Sequence, residues 1–207
     1  MRRRLLVWLL ALLLSLAAGC GGEQAETGTQ GGTGGPAGSG GGDGWMSASQ
    51  AVDIAFAALP ADWQSSAKLA SVRRWSKFCP ESSPYDVEED DGIGSDGRQA
   101  HWVVVFCRDE SGMPAQAYFV EGGKAKLVAD DLATIRPDEV FDREGWVDST
   151  AIAFRASQPV GLELRTNDIF EDVDPDLASH PLLWLADTSF GHFDVYDATT
   201  GEFIKSR

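Results

Sequence analysis

Twelve of the 23 glycines in this 207-residue chain fall between residues 21 and 44. That stretch carries no large apolar side chain. It buries too little surface to offset the entropy of ordering it. It is expected to behave as a Gly-rich coil with an r.m.s. span of about 25–30 Å. A sizeable fold must therefore come from residues 45–207, and those 163 residues suffice for one substantial core. Their composition is globular: the chain is 43% apolar, with seven Trp and ten Phe.

The residues before the coil read as an address. Met1–Cys20 places three arginines ahead of an unbroken apolar run, Leu5–Leu14, followed by mostly small residues. That is the order of a secretory signal peptide, and the run is shorter than the roughly 20 residues a spanning helix needs. Ala17-Ala18-Gly19-Cys20 resembles the lipobox of bacterial lipoproteins, although Ala17 stands where a leucine is usual. The resemblance implies that residues 1–19 are removed and that Cys20 is acylated at its thiol and amine, by palmitate or a similar chain. Residues 20–44 then form the anchor site and a flexible linker, and the folded part sits outside the cytoplasm on the cell membrane or outer membrane. Ordinary signal cleavage, with Cys20 left as a thiol, is the alternative.

Charge narrows the partners. The formal net charge of −15 becomes −18 once the three leader arginines are gone. Phosphate backbones repel such a chain, so sequence-independent nucleic-acid binding is excluded, and basic partners are favoured.

The folded region reads as α+β. Ser47-Ala48-Ser49-Gln50 has capping-box spacing, and Ala51, Val52, Ala55, Phe56, Ala58 and Leu59 follow on one helical face, stopped by Pro60. Strands are expected at 68–79, 102–107, 115–120 and 124–128, the last two joined by Gly122-Gly123 as a hairpin turn. Residues 80–97 read as an acidic loop. The second half echoes this order: Asp148-Ser149 is expected to cap a helix running to about Ser157. Strands follow at 182–185, 193–196 and 202–204, the last two joined by a turn at Ala198–Gly201. The helical cores Asp53-Ile54-Ala55-Phe56 and Ala151-Ile152-Ala153-Phe154 match in part. Two repeats of a helix packed on a small antiparallel sheet are therefore expected, at 45–135 and 136–207.

The closing stretch, Val195-Tyr196-Asp197-Ala198-Thr199-Thr200-Gly201-Glu202-Phe203-Ile204, resembles the end of a PepSY domain. The first half departs from that pattern, with Glu121-Gly122-Gly123-Lys124 at the corresponding place. The resemblance implies tandem domains that bind or inhibit proteases and carry no catalytic residues of their own.

Candidate chemistry is sparse. Cys79 and Cys107 are the cysteines left after Cys20, and a bridge between them is the simplest pairing in an exported domain. Closing that 29-residue loop would stabilise by about 3–4 kcal/mol. A simple hairpin, however, sets Cys107 opposite about residue 73, so the bridge needs a shifted register or strands that are not immediate neighbours. Asp86, Glu88, Glu89, Asp90, Asp91 and Asp96 form one acidic run, and Asp168, Glu171, Asp172, Asp174 and Asp176 a second. Both lack the glycine an EF-hand requires, with Asp91 and Leu177 in its place, and are expected to be solvated, extended and mobile. His101, His180 and His192 lack metal-site spacing, and the latter two suit exposed positions, so no metal or cofactor is expected. Nucleophile and phosphate-loop signatures are absent, which leaves no catalytic residue to name. Trp63, Trp75, Trp102, Trp146 and Trp184 read first as core bulk, and otherwise as a peptide or glycan groove.

The reading that emerges is a lipid-anchored binding or inhibitory module acting on a protease or a basic peptide at the cell envelope. A small envelope hydrolase or metal-dependent enzyme with an unrecognised site is the alternative.

Overall fold

The computed structural model describes residues 44–74, 96–108, 114–132, 135–155, 161–170, 174–189 and 192–207. All lie within one compact unit, Gly38–Arg207. The leader, Cys20, nearly all of the Gly-rich linker and residues 80–95 of the acidic loop expected at 80–97 fall outside the described residues.

Helix α1 (Ala48–Ala58) starts where the capping box predicts: Gln50 N–H donates to the Ser47 hydroxyl and the Gln50 side chain accepts from Ser47 N–H. Its buried stripe is Ala48, Ala51, Val52 and Ala55, small side chains that let the helix lie close to the sheet. Leu59 leaves helical geometry just before Pro60, and a short helix α2 (Ala61–Gln64) then buries Trp63.

Eight strands follow: β1 (Ala67–Arg73), β2 (His101–Arg108), β3 (Ala115–Glu121), β4 (Lys124–Leu132), β5 (Gly161–Thr166), β6 (Leu182–Ser189), β7 (His192–Asp197) and β8 (Phe203–Ser206). They form one antiparallel sheet in the order β4-β3-β2-β1-β5-β6-β7-β8. Each half thus runs outward from a shared middle, where Val72 pairs with Leu164 and Arg73 with Glu163. The α+β class stands, but the two halves share one sheet and one main core.

Two expectations need correction. Over the described part of the expected helix, residues 148–155, no α-helix forms: Ser149–Ala151 makes a single 3-10 turn, and Ile152 is already extended at φ −83°, ψ 124°. The capping side chains are engaged elsewhere. Ser149 Oγ accepts from Ala48 N–H at 3.0 Å and Asp148 Oδ1 from Ser49 N–H at 2.9 Å, so the second half caps the first half's helix. β5 has no counterpart among the expected strands; its Leu162, Leu164 and Thr166 are buried between half-exposed Glu163 and Arg165.

The main core lies between α1 and the sheet. Trp102 and Trp184 are fully buried there with ring centroids 6.4 Å apart, and Trp146 meets Trp184 at 6.1 Å. Trp102 Nε1–H donates to Met46 O and Trp184 Nε1–H to Val147 O, both at 3.0 Å. Buried indoles need such a partner. The opposite face carries two smaller apolar patches. Val103, Val105, Cys107 and Phe119 pack with Ile135 and Val140, and Leu183, Leu185 and Val195 with Phe170 and Leu177.

The cap between the halves predicts an acid dependence. Burial alone would raise the Asp148 carboxyl, but hydrogen bonds from Ser49, Ser47 and Thr150 outweigh it and hold it below the ordinary carboxylate range. A depressed folded pKa contributes stability above the unfolded value, near 3.9, that is lost as pH falls through the folded one. Asp148→Asn keeps an accepting oxygen but removes the charge, and with solvent screening should therefore cost about 0.5–1 kcal/mol at neutral pH. In urea titrations the gap to the unmodified chain should close on acidification. A gap independent of pH would show that the charge does not matter.

Candidate functional site

The side chains of Asp168 and Asp174 in the second acidic run are buried and paired, not loose and solvated. Asp168 is held by Thr166 Oγ1 at 2.7 Å and by Arg136 and Arg165 at 3.2 and 3.4 Å. Asp174 and Asp176 both bind Lys205 at 2.9 Å, and Arg207 lies 3.4 Å from Asp174. Cations on β5 and β8 turn those carboxylates into clamps over the sheet's far face. Of the same run, Glu171 and Asp172 lie outside the described residues. Asp96, from the first run, receives Arg98 N–H at 3.2 Å.

The histidines separate. His101 is buried on β2 and stacks on Phe119 at 5.5 Å. His180 is half-buried, contrary to the exposed position expected, with Nδ1 2.5 Å from Asp197 Oδ2. His192 is exposed at the start of β7. Among the described residues no group of three or more His, Cys, Asp or Glu side chains is placed to hold a metal ion.

Cys107 sits on β2 opposite Lys68, a different register from the hairpin predicted, and is fully buried. Burial, with the nearby Glu139 carboxylate adding to it, pushes the thiol of unbridged Cys107 up to about 12, so in that form it is a poor nucleophile. Its proposed partner Cys79 lies outside the described residues, as does Trp75. Trp63, Trp102 and Trp184 are buried and Trp146 half-buried, so these four serve as core bulk.

The Asp197 turn forms as its residues predict. Asp197 Oδ1 accepts from Thr199 N–H and Thr200 N–H, both at 2.8 Å, and Gly201 adopts φ +76° before β8. Burial would raise this carboxyl, but hydrogen bonds from Thr199, His180 and Thr200 hold it far below the ordinary carboxylate range. Asp197→Ala should destabilise by about 1–2 kcal/mol at neutral pH, with less effect in acid where the native carboxyl is protonated. Equal destabilisation at pH 7 and in strong acid, measured by urea unfolding, would refute the charge's role.

What remains is an edge. Among the described residues, β4 closes one side of the sheet, pairing on its inner side with β3. Gly122 and Gly123, at φ +53° and +75°, make the two-residue turn that sets the register Glu121↔Lys124. The pair closing such a turn exchanges both hydrogen bonds, so the next residue, Ala125, directs its N–H and C=O out of the sheet, as does Leu127. Leu127 is the exposed large apolar side chain of the described residues, at 42%. At the turn end of β4, an open cavity of about 410 Å³ lies between α1 and the β3–β4 turn, lined by Trp45, Met46, Gln50, Asp53, Ile54 and Gly123. Trp45, Asp53 and the β4 edge were not singled out from sequence. The one available signal was β4's mixture of Lys and Asp around a short apolar centre.

No family model matches the chain, and no curated protein or solved structure does either.

Proposed function

We propose that this protein is a lipid-anchored, extracytoplasmic binding or inhibitory module that acts on a protease or basic peptide at the cell envelope. The observation that carries the reading is the open edge of β4, whose outward backbone groups offer a template for an added strand. Residues 1–20 support an export and acylation signal at Cys20, and the Gly-rich stretch after it supports a tether that lets the domain reach a partner. The acidic balance of −15 supports steering of basic partners. The strand order, running outward from β1 and β5, supports two copies of one PepSY-like unit, the second without its helix.

The test is retention of polypeptides from envelope extracts by the immobilised full chain at low and high salt, followed by protease assays on whatever is retained. A basic polypeptide or protease held at low salt and released at high salt is the expected result. Retention of nothing, or of partners insensitive to salt, would overturn the reading. Intact-mass measurement of membrane-extracted protein should show acyl chains on Cys20, and non-reducing peptide mapping should recover Cys79 linked to Cys107.

A further inference from the structure

We propose that the corner formed by β4, the β3–β4 turn and α1 binds an extended segment of a partner polypeptide as a ninth strand. The segment's α1-side residues would be apolar and basic, and its far-side residues neutral or acidic. This rests on the binding reading above and assigns it a place and a pattern.

Three observations meet at this corner. The first is backbone: Ala125 and Leu127 present N–H and C=O outward, while the bulge between the Ala117 and Tyr118 pairings ends the regular register just beyond. An added strand therefore has a short, defined stretch to pair with. The second is the exposed apolar residue. Ala125 and Leu127 pair with Val120 and Tyr118, which face α1, so side chains of an added strand on that side would cover Leu127. Further along they would enter the cavity at Trp45 and Ile54. The third is charge, which differs between the two sides of β4. On the α1 side the cavity wall carries Asp53, whose carboxylate is 80% exposed and reached by Arg143 only at 4.0 Å. On the far side Lys124 and Lys126 stand exposed beside Glu121 and Phe119. A basic side chain beside Trp45 gains both the carboxylate and a ring face, and an acidic side chain gains Lys124.

A second copy of this chain is a poorer occupant. Two such domains would each bring the same strong negative charge to one seam.

A labelled peptide probes this directly. Thr-Leu-Thr-Leu-Glu-Lys-Thr carrying fluorescein would be titrated with the full chain in detergent and followed by anisotropy. The unmodified peptide should bind. N-methylation of alternate amides, which leaves the protein untouched, should weaken it about tenfold, the loss of roughly one well-made contact. Ala125→Pro removes an outward N–H that β3 does not use, so the sheet should survive and binding should fall about tenfold. Leu127→Asp and Asp53→Lys should each weaken binding by about fivefold or more, and exchanging the peptide's Lys for Glu should rescue Asp53→Lys.

Equal binding of the N-methylated peptide, no binding of the unmodified one, or a sedimenting dimer that Ala125→Pro dissolves would overturn the proposal. If the unmodified and Ala125→Pro chains retain the same envelope partner, the binding function stands and its assignment to β4 falls.

Discussion

Replacing Gly97 by alanine is expected to cost about 3–5 kcal/mol of folding stability, from steric overlap added to left-handed backbone strain. A Cβ built there lies 2.1 Å from Ser149 O and 2.6 Å from Ser149 C, both backbone atoms. Gly97 also sits at φ +79°, where an L side chain is disfavoured. The crowded atoms belong to the turn whose Asp148 and Ser149 cap α1, so the clash cannot relax without disturbing that cap. Gly145→Ala separates the two causes. Gly145 has φ +91° but nothing within 4 Å of the new Cβ, so it should lose only about 1–2 kcal/mol. Urea midpoints for the two variants, at equal m-values, measure the difference. Similar losses would mean that the approach of residue 97 to Ser149 is not a tight constraint.

Truncating Trp184 should be comparably severe. The indole is fully buried, meets Trp102 and Trp146 edge-on, and donates to Val147 O. Trp184→Ala removes that volume and leaves the carbonyl without its donor, a loss of about 3–5 kcal/mol. The partner rings come from different halves: Trp102 on β2, Trp184 on β6. If one core spans both halves, the Trp102→Ala/Trp184→Ala cycle should show coupling of about 0.5–1.5 kcal/mol, in a single unfolding transition. Additive losses, or two separate transitions, would mean that the halves are stabilised independently.

These two sites show why the fold was only partly legible. The capping box at Ser47–Gln50, the helix stop at Pro60, the Gly122-Gly123 hairpin and the Asp197–Gly201 turn are local devices. Each is specified by residues within a few positions of one another, and each forms. The predicted second helix failed because its cap residues had a better use. Asp148 and Ser149 satisfy amides of α1, a hundred residues away, and the chain is already extended at Ile152. Periodicity could have found β5, since Leu162, Leu164 and Thr166 alternate with Glu163 and Arg165, but the acidic surroundings masked it. The acidic run at 168–176 looked solvated because its cations come from elsewhere: Arg136, Lys205 and Arg207. The candidate site was the least visible. Trp45, Asp53 and Leu127 belong to three segments, and nothing in their spacing announces a common corner.

The sequence alone determined the α+β class, the strongly acidic balance, the ends of α1 and the tight turns, because composition and short-range hydrogen bonding decide those. The tertiary structure decided which helix Asp148 and Ser149 cap, that β1 and β5 join the halves into one sheet, and that β4 is left at an edge. Those outcomes depend on competition among partners far apart in the chain, and local pattern carries no record of which partner wins.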